Sequence, residues 1–206
     1  MSEPQLDLPL QSSALARRTI EITELNAYRI FSRRFASSPL GTGAADSRFA
    51  WSHSPYQVLY CARDFRTAFL ETVVRDQFVS KQAPRLLPTA AITQRCYAKL
   101  ELTADNRLKL RLLDLRGDGC VILGIPTDVP RSMDHGPARD LGKRLHDHHR
   151  TSIDGIVFAS RFTGSDVYAV FSHALERLNA RPALELKNAP ELPAVLTDYD
   201  LQLIRQ

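Results

Sequence analysis

Lysine and cysteine are scarce in this chain, and long apolar runs are missing from it. Only 5 of its 27 cationic residues are lysine. The three cysteines, Cys61, Cys96 and Cys120, are an odd number at wide spacings with no CxxC pair, which fits thiols in a reducing cytosol better than a disulfide framework. No stretch approaches the roughly 18 apolar residues of a membrane span, and the longest, such as Gly155-Ile156-Val157-Phe158-Ala159, are strand-sized. Met1 to Gln5 shows no basic region followed by an apolar one, so no secretory signal is visible. Glycine (9) and proline (12) carry no fixed repeat, which removes collagen, solenoids and propellers. The P-loop, GxGxxG, HExxH and GxSxG signatures are absent as well. Together these absences point to a cytoplasmic protein with no membrane association.

The size, 206 residues, fits one domain at the usual scale of about 100–200 residues. Apolar residues at 44% and charged residues at 24% describe a folded chain. The formal charge of +4 is mild, but 22 of the cations are arginine. Arginine's planar fork grips phosphate or carboxylate with two bonds, although codon use in a GC-rich genome produces the same bias. The arginines are scattered, with only the short pairs Arg17-Arg18 and Arg33-Arg34. No basic stripe interleaved with aromatics appears, so direct nucleic-acid binding is not expected.

Residues 1–24 have no clear period and read as an arm that either docks or stays loose, leaving 25–206 as the main domain. Strands are expected at Leu25–Phe31, Val58–Ala62, Cys96–Leu102, Leu108–Leu115, Val121–Ile125, Gly155–Ala159, Val167–Phe171, Ala183–Leu186 and Leu201–Ile204. Asp64 is placed to cap a helix to about Arg75, since Phe65, Ala68, Phe69 and Val73 form one apolar stripe. A second helix is expected over Ala138–His149. The order is neither βαβ repeats nor helices alone, and predicts an α+β fold with a mixed β-sheet core and flanking helices. A C-terminal strand that pairs across two copies would leave a homodimer open.

Two constellations bear on chemistry. His146, His148 and His149 share one predicted helix, and with Asp147 or Asp154 nearby a metal site is conceivable. Solvated histidines at a helix C-terminus need no metal, however, and none is expected. The second set is Tyr28-Arg29 on a strand, Ser47-Arg48-Phe49 after a glycine-bearing loop, Tyr60 on the next strand and Glu71 on the following helix. Arginines beside a flexible loop suit a pyrophosphate, and a tyrosine stacks on a flat ring. A carboxylate near a ribose stabilises positive charge developing at the anomeric carbon. The plainer reading of Glu71 is a surface pair with Arg75, worth about 0.3–0.5 kcal/mol.

The run from Tyr28-Arg29 through Ser47-Arg48-Phe49, Tyr56-Gln57-Val58-Leu59-Tyr60-Cys61-Ala62 and Thr67-Ala68-Phe69-Leu70-Glu71 resembles the first half of the RES-domain family, named for its Arg, Glu and Ser. Asp154 to Arg161 is similar to that family's strand ending in the signature Ser, and Val167–Phe171 to the strand after it. The resemblance covers about residues 25–175. It implies an ADP-ribosyltransferase-like fold and a toxin of a bacterial toxin–antitoxin pair that consumes NAD+ by phosphorolysis or hydrolysis, or that ADP-ribosylates a protein. A sensor that binds a nucleotide without turning it over is the reading outside enzymes. The resemblance further implies that Arg29 and Arg48 bind the pyrophosphate or an attacking phosphate, and that Tyr60 packs on nicotinamide or its ribose. Glu71 would hold the ribose hydroxyl, Ser160 would orient Glu71 or the ribose, and Arg161 is added as Ser160's neighbour. NAD+ enters as substrate, with inorganic phosphate as co-substrate and no bound cofactor. The implied partner is a helix-turn-helix (Xre-type) antitoxin that blocks the active site. One segment departs from the family: its usual Gly-Gly-Arg-Trp-Asn is Asp46-Ser47-Arg48-Phe49-Ala50 here, which changes loop freedom and bears on substrate choice.

Overall fold

The computed structural model describes residues 10–78, 81, 83–104 and 109–205. In chain order it runs α1 (Ser12–Arg18), β1 (Thr19–Ile22), β2 (Asn26–Ser32), β3 (Val58–Ala62), α2 (Phe65–Phe69), β4 (Arg85–Pro88), α3 (Ala90–Thr93), β5 (Arg95–Leu102) and β6 (Leu110–Asp114). It continues with α4 (Gly119–Leu123), α5 (Gly136–His149), β7 (Gly155–Ala159), β8 (Asp166–Phe171), β9 (Leu178–Ala180), β10 (Leu184–Glu185), α6 (Leu192–Asp198) and β11 (Leu201–Ile204). The α+β architecture with a mixed sheet is as the sequence implies.

Nine strands make one sheet in the order β1-β6-β7-β8-β3-β2-β5-β10, with β9 also on β5. Its pairs are antiparallel except β6 with β7. A parallel pair needs a crossover, and α4 and α5 supply it. This explains why Val121–Ile125, expected as a strand, is instead the end of helix α4 and the turn after it: Cys120 and Leu123, three apart, face the core while Val121 is 66% exposed. The start of the strand expected at Leu108 lies outside the described residues, and the strand is observed from Leu110. The arm docks from Leu10 onward, because β1 pairs with β6 across Thr19–Leu113 to Ile22–Leu110, while residues 1–9 lie outside the described part. A separate parallel pair joins β4 to β11.

The pleat sorts alternate residues to two faces. On β3 and β2, Tyr60, Ala62, Tyr28 and Ile30 face a cluster with Phe65, Phe69 and Leu141, which α2 and α5 cover. Leu59, Cys61, Ala27 and Phe31 face the other cluster, with Leu100, Leu112 and Val157. No helix among the described residues is long and apolar enough to cross a membrane.

Candidate active site

The helix after β3 opens as read, with Asp64 accepting from the Thr67 amide at 2.7 Å. It does not continue regularly. After α2 the chain widens into a π turn over Leu70–Val74, closed by the Arg75 amide on Leu70 O at 2.7 Å. Arg75 then leaves in the left-handed region at φ 46°, a conformation that a non-glycine residue adopts at some cost. Such turns recur at functional sites, and this one carries Glu71.

Glu71 does not make the surface pair considered for it. Its Oε1 accepts from Ser160 Oγ at 2.7 Å. Ser160, only 2% exposed, directly follows strand β7 and also accepts from the Phe162 amide at 3.1 Å. It stands behind the carboxylate, so of the two roles considered for it, orienting Glu71 is the one its position suits.

In front of Glu71 is a cavity of about 490 Å³, walled by Arg48, Tyr60, Arg75, His135 and Arg161. Phe158, Phe162 and Met133 give it an apolar side. Arg161 pairs with Asp76 through Nη2, and its Nε is buried without a partner. Arg48 donates Nη1 to Ser132 O at 2.7 Å. Burial lowers its pKa, which Glu71 opposes, and a guanidinium is basic enough to stay charged. Burial, then the charges of Arg48, Arg139, Arg75 and Arg161, hold the His135 imidazole below its ordinary range. The cavity lining therefore carries three guanidiniums, Arg48, Arg75 and Arg161, and three carboxylates, Asp46, Glu71 and Asp76, with Asp76 paired to Arg161 and Glu71 held by Ser160.

The loop bearing Arg48 is held from several sides. Tyr60 Oη accepts from the Phe49 amide at 3.0 Å and donates to Ser47 Oγ at 3.1 Å. Desolvation raises the Tyr60 phenol pKa, which keeps it a donor. Asp46 Oδ1 accepts from the Ser52 amide at 2.7 Å, and Arg139 Nε reaches Ser47 O at 2.8 Å. Gly142 of α5 lies against this loop, where a Cβ would meet Phe49 O at 2.2 Å. Asp46 and Ser47 thus make side-chain bonds that glycines have no atoms for, so the departure from Gly-Gly ties the loop down.

The structure brings Glu71, Arg48, Tyr60, Ser160 and Arg161 together. It does not bring in Arg29. Pleating puts Arg29 on the face of Leu59 and Cys61, where it donates to Pro39 O at 2.5 Å and Gly41 O at 2.8 Å and lies over the Phe31 ring. Burial lowers its pKa. Its place makes it a clamp on the 37–46 loop. The histidine cluster disperses too: His146 stacks on Tyr56 at 4.5 Å, and His148 is exposed. Among the described residues no three His, Cys, Asp or Glu side chains are placed to hold a metal. Arg75, Asp76 and His135 were missed by the sequence reading. His135 had a signal, since Gly136-Pro137 marks a helix start; the two others depend on the π turn, which no local pattern announces.

These features define a class, an α+β domain with a mixed sheet and a carboxylate held at the edge of a cavity. A chain of the crystal structure of the M. tuberculosis MbcT–MbcA toxin–antitoxin complex shares this fold, with a TM-score of 0.63 at 18% identity over 93% of this chain and 98% of that one. A "probable toxin y4kH" of Sinorhizobium fredii (strain NBRC 101917 / NGR234) is 34% identical over 98 residues, which are 46% of this chain and 75% of the relative. The RES domain model matches residues 26–196, and the chain belongs to the RES-domain family.

Proposed function

We propose that the protein is the toxin of a toxin–antitoxin pair and acts by breaking the nicotinamide–ribose bond of NAD+. The observation that carries this reading is a carboxylate, Glu71, fixed by Ser160 at the edge of a cavity with three guanidiniums. Breaking the bond leaves its electron pair on the pyridinium nitrogen, releasing neutral nicotinamide, and develops positive charge at C1′. Glu71 stabilises that charge and holds the ribose hydroxyl. Arg48 and Arg161 bind the pyrophosphate. Tyr60 borders the nicotinamide ribose and fixes the loop that presents Arg48. A phosphate oxygen then bonds to C1′ to give ADP-ribose 1-phosphate. With water in its place, the products are ADP-ribose and a proton. The guanidiniums of Arg48 and Arg75, which form no ion pair among the described residues, favour the anionic acceptor over water or a protein side chain. NAD+ is spent as substrate, and no resident cofactor is needed. The partner is an antitoxin of the helix-turn-helix, Xre-like type, which keeps NAD+ from the cavity, and the site of action is the cytoplasm.

Incubating the protein with NAD+, with and without phosphate, and resolving products by chromatography and mass tests this. Phosphate-dependent ADP-ribose 1-phosphate is expected. Intact NAD+ under both conditions would overturn the reading, and an ADP-ribosylated protein in a lysate would replace it with transfer.

A further inference from the structure

Glu71 is one of four side chains, with Asp64, Thr67 and Asp76, that bond to a single facing turn, residues 160–165. Thr67 Oγ1 is 2.9 Å from Thr163 Oγ1, Glu71 accepts from Ser160 at 2.7 Å, and Asp76 pairs with Arg161. The first step, 67 to 71, is one α turn, which sets both side chains on one face. The second, 71 to 76, crosses the end of the π turn and the break at Arg75, where φ is 46°. A regular helix would have put Arg75 next to face the turn, a cation opposite Arg161. The widened turn and the break at Arg75 after it put Asp76 there instead.

The facing turn is built to be held at its far end. Ser160 N donates to Ser165 O at 2.8 Å, and Gly164 N to Ser160 O at 2.9 Å, with Gly164 at φ 75°. Asp64 Oδ2 accepts from Ser165 Oγ at 2.6 Å and from Thr67 Oγ1 at 3.0 Å. Thr67, with no exposed surface, is one of the few buried polar residues of the core. A buried hydroxyl is retained where its bonds are made, and here they join the helix start to the turn that begins at Ser160. None of Asp64, Thr67, Thr163 or Ser165 borders the cavity.

We propose that Thr67 and Thr163, anchored by Asp64, are positioning residues that set the Ser160–Glu71 hydrogen bond and thereby the aim of the Glu71 carboxylate. The kinetic half of this inference rests on NAD+ cleavage at the cavity; the structural half does not. Thr67→Val keeps the shape and removes the hydroxyl, and Thr163→Val does the same at the less buried partner. Each is expected to lower kcat about 10- to 100-fold, since small misplacement of a reacting group has that effect, with KM within about threefold of the parent. Thr67→Ser, which restores the hydroxyl, recovers most of the rate. In a Glu71→Gln background Thr67→Val adds little, because both changes act on one unit.

Hydrogen–deuterium exchange of the Ser160 and Gly164 amides is read on the same proteins. It is expected to quicken about tenfold in both valine variants and not in Thr67→Ser. Should the parent leave NAD+ intact, the functional reading falls and exchange alone decides the positioning role. Unchanged exchange in both valine variants overturns the proposal. So does a loss of rate in Thr67→Val that simply adds to that of Glu71→Gln, or one that Thr67→Ser does not relieve.

Discussion

Two concavities border the α2 segment, and the larger one lacks the features of a site. The groove beside Tyr28, Asp64, Arg66, Glu191 and Tyr199 measures about 730 Å³ against about 490 Å³ for the cavity at Glu71. Its charges are already spent: Arg66 pairs with Asp198, Asp64 is bonded to Ser165 and Thr67, and Tyr28 donates to Glu191 at 3.2 Å. The buried atom left over there, Glu191 Oε2, is an acceptor and repels an anion. In the cavity Arg161 is paired with Asp76 but keeps a donor, Nε, left over, and Arg48 and Arg75 line the same space without an ion pair among the described residues. Volume alone selects the wrong place; the guanidiniums of Arg48 and Arg75, so left without an ion pair beside a fixed carboxylate, select the other.

The contrast is broken most severely at Glu71. Glu71→Gln keeps the size and loses the charge, so nicotinamide release is expected to fall about 10³-fold with the melting temperature within about 2 °C of the parent. A variant as active as the parent would remove Glu71 from the chemistry. Arg48→Ala comes next, with kcat/KM down about 10²-fold, measured by the same assay. Arg29 sharpens the contrast from the other face of the sheet. Losing its bonds to two carbonyls costs about 2 kcal/mol in denaturant unfolding, while turnover per folded molecule stays within about threefold. An Arg29→Ala protein that is stable but inactive would return Arg29 to the site.

The smallest effect is on a titration. His135 is held below its ordinary range by burial and by surrounding guanidiniums. An anionic ligand offsets that field and favours the protonated imidazole, so ADP-ribose is expected to raise the His135 midpoint in an NMR titration and to bind with proton uptake at pH values between the free and bound midpoints. A midpoint that stays put or falls would mean that the anion binds elsewhere.

Much of the frame was legible because it is local. Alternation and β-branched runs gave β2, β3, β5, β7 and β8 to within a residue, and Asp64 announced the start of α2. Alternation also implied that Arg29 and Tyr60 fall on opposite faces once β2 and β3 pair with Tyr28 opposite Ala62. That register is a tertiary fact, and it decides which arginine reaches Glu71. Strand β1 was not legible: its partner β6 lies some 90 residues away, and four residues carry little pattern. Val121–Ile125 misled because a short apolar run fits either element, and the parallel step from β6 to β7 settled it as helix and turn. Glu71, Arg48 and Ser160 were carried by family resemblance. Arg75 and Asp76 were not, since the π turn and the positive-φ break at Arg75 aim them together.

The most direct test of which concavity is the site is amide exchange mapped by mass spectrometry with and without ADP-ribose. Protection confined to segments around residues 46–50, 71–76 and 160–162 is the predicted result. Protection of the groove, at Tyr28 and residues 191–199, with the cavity unchanged, would contradict the account.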